Sequence, residues 1–363
     1  MRLKIQKFFT AAAAAAAVLL SVLPVRAAPA TSARSAILMD AASGRILCAQ
    51  NADAHAPIAS TTKIMTGLLA CESGRLSESV TVPDEAVGVE GSSMYLKRGE
   101  TLRIGELLYG LMLHSGNDAA QALAIVLAGS EAEFCAQMNR RAAQLGLADT
   151  HFENPSGLDA EGHYSTARDL AVLTRAALEN PDFLRVVSTR SIRAAGRSLT
   201  NHNKLLWRYE GCIGVKTGYT KRAGRVLVSA AQRDGRRLIA VTICDPDDWR
   251  DHAVLLDYGF SAFRTRQLVR AGAQLGTCAV LGGQEDSVRL LAEDDFSYPL
   301  LREEQVTFRL HAPQFTWAPV ERTQAGSLEI LLAGNPIGRV PVRFAREIAQ
   351  TEKKGLWARI FGG

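Results

Sequence analysis

Apolar and polar positions change rhythm several times along this chain, and each change predicts a different element. Residues 35–50 (SAILMDAASGRILCAQ) hold two short apolar runs on either side of Ala42-Ser43-Gly44, which predicts a β-hairpin. Over 60–73 the apolar Ile64, Leu68 and Leu69 share one helical stripe, with Ser60 placed as the cap. Helical spacing returns from Ile104 to Leu127, broken at Ser115-Gly116-Asn117, and again over 131–145 and 166–178. Three strand-like runs follow (GCIGVKTG, GRVLVSAAQ and RRLIAVTIC), and a last helix covers 248–262. A hairpin, then helices, then strands returning to one sheet predicts an α+β layered domain over 28–264.

Beyond residue 264 the pattern shifts to short strand-like pieces such as SVRLLA, QVTFRL and RVPVRF, separated by Gly, Pro and Asp turns. This predicts a small β-rich domain over 265–344. The remaining stretch, 345–363, is basic and amphipathic. Counted from Arg343, it sets five cations against Glu347 and Glu352, with Ile348, Leu356, Trp357, Ile360 and Phe361 as its apolar members. That composition suits the surface of a membrane, and also suits a helix docked on its own domain.

The chain opens with the cationic MRLKIQK, followed by an apolar, Ala-rich run ending at Val25-Arg26-Ala27. Residues 1–27 therefore read as a secretory signal cleaved after Ala27, with an uncleaved N-terminal membrane helix as the rival reading, and the mature protein is expected outside the cytoplasmic membrane. Net charge needs this correction. Arg2, Lys4, Lys7 and Arg26 supply four of the five formal positive charges, and the first 27 residues contain no acid, so the remainder carries only +1. Neither charge nor motif points to nucleic acid. The six cysteines are widely and irregularly spaced, mostly inside apolar runs, and are expected as buried thiols rather than bridges. No metal-ligand spacing is present, and no metal or organic cofactor is expected.

Three short motifs occur in order: Ser60-Thr61-Thr62-Lys63, Ser115-Gly116-Asn117 and Lys216-Thr217-Gly218. S-x-x-K alone is common by chance; the ordered set is far more specific. With these motifs, with Phe152-Glu153-Asn154-Pro155-Ser156-Gly157-Leu158 and Ser165-Thr166-Ala167 between them, and with Tyr219-Thr220 after the last, the chain resembles the low-molecular-weight penicillin-binding proteins, the serine-type D-alanyl-D-alanine carboxypeptidases of peptidase family S11. The likeness spans roughly residues 34–262. It implies a β-lactamase/DD-peptidase-like domain, an antiparallel sheet flanked by helices with a helical subdomain. Gly116 departs from the Asp of the commoner middle motif.

The residue types fit that chemistry. A serine hydroxyl becomes a competent nucleophile when a base takes its proton, and Lys63 lies one helical turn from Ser60. Lysine acts as a base when neutral, a state that burial or a second cation such as Lys216 favours. Ser115 can relay a proton to the leaving amine. Asn117 can fix Lys63 and bond the substrate backbone. Lys216 and Thr217 suit a peptide's free carboxylate, and Gly218 allows close approach. The resemblance implies an oxyanion hole from the backbone N–H groups of Ser60 and Tyr219. It also implies a substrate, the peptidoglycan stem peptide ending in D-Ala-D-Ala, and β-lactams as covalent inhibitors. The tail would place the protein on the outer face of the cytoplasmic membrane. A serine β-lactamase is the nearest rival reading, and a catalytically silent wall-binding scaffold the other. His114, His163 and His252 are expected as structural or rim residues, because S-x-x-K carries its own base.

Overall fold

The computed structural model describes residues 28–351; the export signal read over 1–27 and residues 352–363 of the tail lie outside them. The first unit begins with hairpin β1 (Ser35–Asp40) and β2 (Ile46–Gln50), followed by α1 (Lys63–Glu72). A small ribbon of β3 (Ser79–Thr81) and β4 (Thr101–Arg103) leads into α2 (Ile104–Leu113), α3 (Asn117–Ala128), α4 (Glu131–Gln144), α5 (Ala167–Glu179) and α6 (Pro181–Ser188). A second ribbon, β5 (Ser191–Ala194) with β6 (Arg197–Thr200), precedes the short α7 (Leu205–Arg208). The chain then returns through β7 (Cys212–Thr220), β8 (Gly224–Arg233), β9 (Arg236–Ile243) and α8 (Asp248–Ala262).

β1, β2, β7, β8 and β9 form one antiparallel sheet in the order β2-β1-β9-β8-β7. Its central strands are buried on both faces, which is why they read as nearly continuous apolar runs. Alternate residues serve two cores. Ile37, Met39, Val226, Val228 and Val241 pack into the helical side, whereas Leu38, Leu227, Leu238 and Ala240 pack beneath α8 with Leu255 and Leu256. The helices form a second layer around Leu108, Leu111, Leu123, Phe134 and Phe183. β7 is an edge strand and carries the third motif.

The second unit contains β10 (Arg264–Val269), β11 (Gln274–Leu281), β12 (Ser287–Ala292), β13 (Phe296–Leu300), β14 (Val306–His311), β15 (Phe315–Trp317), β16 (Gln324–Leu332) and β17 (Asn335–Phe344). Six of these form a sheet in the order β14-β16-β17-β12-β11-β15, and β10 pairs with β13. Arg45 fastens the two units: its guanidinium donates to both carboxylate oxygens of Glu304, at 2.9 and 2.5 Å, and to the Pro299 carbonyl. Residues 345–351 stay on the β-rich unit. Ile348 is buried and exchanges backbone hydrogen bonds with Val320, and Thr351 N–H donates to the Gly282 carbonyl. All six cysteines are free thiols. No single helix among the described residues is long and apolar enough to cross a membrane.

Two local expectations differ from the structure. Ser60 does not cap an α-helix: it lies inside a single tight turn of 3-10 helix, Ala59–Thr62, and the α-helix starts at Lys63. The ribbon β5–β6 and helix α6 were not expected. α6 is signalled by Asn180, whose side chain accepts from the N–H groups of Asp182 and Phe183, and by Pro181 at the first helical position.

Candidate active site

The turn Ala59–Thr62 is squeezed between two backbones, and at each contact a glycine permits the approach. Gly157, at φ +84°, lies so close to Ala59 that a Cβ there would sit 1.9 Å from the Ala59 carbonyl oxygen. On the other side, a Cβ on Gly218 of β7 would sit 3.0 Å from the Ser60 nitrogen. Ala59 itself is held at φ +47°, a conformation an L residue adopts at a cost of about 1–3 kcal/mol. This wedge presents Ser60 at the mouth of a cavity of about 460 Å³, which Ser115, Thr217, Gly218 and Tyr219 also line.

Lys63 is fully buried under Ser60. Its ammonium nitrogen donates to Ser60 Oγ at 2.9 Å, to Asn117 Oδ1 at 2.7 Å and to the Ser156 carbonyl at 2.6 Å. Three neutral acceptors fix the nitrogen in place without supplying an anion to hold its proton. Burial, and then the charge of Lys216, push its pKa well below the usual lysine range, and the carboxylate of Asp118 opposes this only in part. The nitrogen is thus poised to accept a proton from the hydroxyl it touches.

The second motif is a strained break between α2 and α3. Ser115 stands at φ +60°, and Asn117 opens α3. Asn117 is engaged on both sides: Oδ1 takes the Lys63 bond, and Nδ2 donates to the Glu90 carbonyl at 2.7 Å. Of the two roles expected for this amide, the fixing of Lys63 is what the geometry displays. Gly116 has its own physical reason. A Cβ there would meet Asp118 Oδ1 at 2.7 Å, and that carboxylate is occupied in holding the loop before it. Its two oxygens accept from Met94 N–H and Leu96 N–H, each at 3.0 Å, and from the Ser93 hydroxyl at 2.6 Å.

In the third motif, Lys216 is 1% exposed and its ammonium donates to the Thr217 carbonyl at 2.9 Å. Burial brings its pKa down to about 7. Thr217, Gly218 and the exposed Tyr219 line the cavity, and the edge position of β7 leaves half its backbone groups turned away from β8. The sequence-derived residues Ser60, Lys63, Ser115, Asn117, Lys216, Thr217, Gly218 and Tyr219 are therefore brought to one seam, where the edge of the sheet meets the helical layer.

Other neighbours support the site; His202, Arg225, Asp248 and Trp249 among them carried no sequence signal, whereas His114, His163 and His252 are the structural or rim residues expected. The Ser156 carbonyl acts through backbone, although Asn154-Pro155-Ser156-Gly157 announces a turn. His163 Nε2 bonds Thr62 Oγ1 at 2.8 Å, and burial lowers its pKa to about 4, so it is a neutral strut. His252 is likewise buried between Ser229 and Thr242. His202 lines the cavity and stacks on His114, with ring centroids 5.6 Å apart. On the far wall Arg225 forks onto Asp248 at 3.0 and 2.5 Å and lies over the Trp249 ring. Arg250 points elsewhere, pairing with Asp247 in solvent. Among the described residues no cluster of three or more His, Cys, Asp or Glu could hold a metal ion.

Comparison with known proteins agrees along both units. The family profile described as D-alanyl-D-alanine carboxypeptidase matches residues 24–247, and that of the penicillin-binding protein 5 C-terminal domain matches 263–350. The chain is 34% identical over 352 residues to the D-alanyl-D-alanine carboxypeptidase DacD of Salmonella typhimurium, covering 92% of this chain and 90% of that one. It is 32% identical over 327 residues to DacF of Bacillus subtilis, covering 85% and 84%. The crystal structure of penicillin-binding protein 5 from Haemophilus influenzae superposes with a TM-score of 0.76 at 30% identity, over 89% of this chain and 99% of that one. With its seam of serine and buried lysines, its β-rich second unit and these matches, the chain belongs to the serine-type D-alanyl-D-alanine carboxypeptidases of peptidase family S11.

Proposed function

We propose that the protein is exported and removes the terminal D-Ala from peptidoglycan stem pentapeptides through an ester on Ser60. The observation that carries this reading is the 2.9 Å contact between Ser60 Oγ and a buried, weakly basic Lys63. Lys63 takes the hydroxyl proton as Ser60 Oγ attacks the carbonyl carbon of the penultimate D-Ala. The oxyanion forms beside the N–H groups of Ser60 and Tyr219, where Gly218 keeps strand and turn close. The C–N bond breaks as the leaving amine receives the proton, relayed through Ser115. Water then attacks the ester, and Lys63 again serves as base. Thr217, with Lys216 behind it, receives the substrate's free carboxylate.

β-Lactams enter the same site and acylate Ser60. Among the described residues Asp248 is the one carboxylate lining the cavity, and it is pinned by Arg225, so none of them offers a free acid there to drive water against the bulkier ester. The basic composition of the tail beyond Thr351 and the signal-like pattern of residues 1–27 support a peripheral position on the outer face of the cytoplasmic membrane.

Intact-mass measurement with penicillin should show one adduct on the Ser60 peptide, lost in Ser60→Ala, persisting while D-Ala is released steadily from a diacetyl-Lys-D-Ala-D-Ala substrate. An adduct retained in Ser60→Ala refutes the nucleophile. Rapid penicillin turnover without D-Ala release would make the protein a β-lactamase in function.

A further inference from the structure

The outer face of the six-stranded sheet has a composition that the peptidase chemistry does not use. Cys278, Val280, Val288, Leu290, Val340 and Val342 point into the core of the β-rich unit. Cross-strand partners share a face, so the register puts the alternate residues on the open side. At one end the parallel pairs Ala279↔Phe315 and Leu281↔Trp317 bring Leu281, Phe315 and Trp317 together, 39%, 59% and 69% exposed. Along the rest of that face stand Arg289, Arg343, Arg339 and Arg309, opposed by Glu329 alone among the ladder residues. A short edge strand with two bare aromatic rings is a liability unless something covers it.

The path of the described chain leads to this corner. Thr351 bonds to Gly282 and Gly283, directly after Leu281, so the described chain ends beside the aromatic corner. The twelve residues that follow, EKKGLWARIFGG, continue in a basic and aromatic register. Acids at this corner are confined to the flanking turns, and one of them, Glu285, is paired with Arg346.

We propose that this corner is itself a membrane-contacting surface: Leu281, Phe315 and Trp317 enter the headgroup layer of an anionic bilayer, and Arg289 and Arg343 lie over its phosphates. Aromatic rings settle at the membrane interface, and each nearby Arg adds an attraction that salt screens. The inference rests on the peripheral-membrane reading above and adds to it a folded second contact, one that would hold the β-rich unit against the lipid instead of leaving it on a tether.

The test uses the chain from Ala28 to Gly363 and vesicles of phosphatidylcholine with 30% phosphatidylglycerol. The double variant Phe315→Ser/Trp317→Ser should bind about tenfold more weakly, and Arg289→Glu about fivefold, with D-Ala release unchanged. A chain ending at Thr351 should retain weak, salt-sensitive binding that the double variant removes. If the full chain binds and neither change weakens it, the corner is not a contact and the inference falls while the membrane reading stands. If the full chain ignores these vesicles, the membrane reading itself falls. Concentration-dependent dimers that Trp317→Ser dissolves would assign the corner to a second copy and overturn the proposal.

Discussion

Replacing Lys216 by methionine should stabilise the folded protein while removing its activity. Lys216 is buried, its ammonium bonds only the Thr217 carbonyl, and no carboxylate pairs with it among the described residues. Burial lowers its pKa from 10.5 to about 7. At pH 7 the unfolded chain carries this lysine fully protonated, whereas the folded protein holds it about half so. That difference opposes folding by about 4 kcal/mol. Methionine has a similar length and no charge to desolvate; its loss of one hydrogen bond returns about 1 kcal/mol. The net gain of about 3 kcal/mol corresponds to a rise in melting temperature of about 6–12 °C for a unit of this size. The sign has a pH signature. Between about pH 7 and 10.5 the unfolded chain binds more protons than the folded one, so wild-type stability rises with pH across that window and the advantage of the variant shrinks. Differential scanning calorimetry at pH 6, 7, 8 and 9, beside a penicillin-acylation assay, checks both halves. A variant that melts at or below wild type, or a gap that does not change with pH, would refute the argument that Lys216 is held against its own desolvation.

Gly218→Ala should slow acylation about a hundredfold, with circular dichroism unchanged, because its Cβ would wedge β7 from the Ser60 nitrogen; rates within threefold of wild type would show that the turn adapts. Gly157→Ala faces both a positive φ and the Ala59 carbonyl at 1.9 Å, so it should lower the melting temperature by several degrees, and an unchanged melt would exclude strain at this contact. Lys63→Arg retains a cation that cannot deprotonate, so penicillin acylation should be undetectable from pH 6 to 10. Measurable acylation at any pH in that range would remove Lys63 as the base. In wild type, acylation should rise with pH through the lowered pKa of Lys63, and stopped-flow rates that fall over that limb would contradict it.

Much of the fold was legible because both faces of the main sheet are buried. β7, β8 and β9 could be read as long apolar runs, and α8 appeared with its observed limits, 248–262. The short ribbons β3–β4 and β5–β6 were not legible. Their three- and four-residue strands are half exposed and carry no sustained alternation. In the site, the three motifs located every side chain of the Ser60–Lys63–Asn117 contact. What they could not convey was the part played by backbone. The Ser156 and Glu90 carbonyls hold Lys63 and Asn117 through groups that every residue possesses. The reading of Ser60 as a helix cap failed for a related reason. A serine before an apolar stripe is a cap by default, and only the closeness of β7 and Gly157 tightens this turn so that the hydroxyl meets Lys63 instead of a backbone N–H.

The placement of the chemistry at a seam explains why so much local strain persists there. Ala59 and Ser115 occupy left-handed conformations without being glycine, and Lys63 and Lys216 are buried with no ion-paired acid among the described residues. Each feature would relax if its surroundings were soft. They are not soft: Ile58, Ile64, Leu113 and Ala119, the apolar neighbours of the first two motifs, are fully buried, and Val215 anchors β7 beside Lys216. The turn carrying Ser60 cannot move toward β7 without meeting Gly218, nor away from it without meeting Gly157. A lowered lysine pKa is therefore the property of three elements packed together, the 59–62 turn, the α2–α3 break and β7. A change that loosens the packing between any two of them should raise the basicity of Lys63 by admitting water, and in doing so return its proton and cost the enzyme its base at neutral pH.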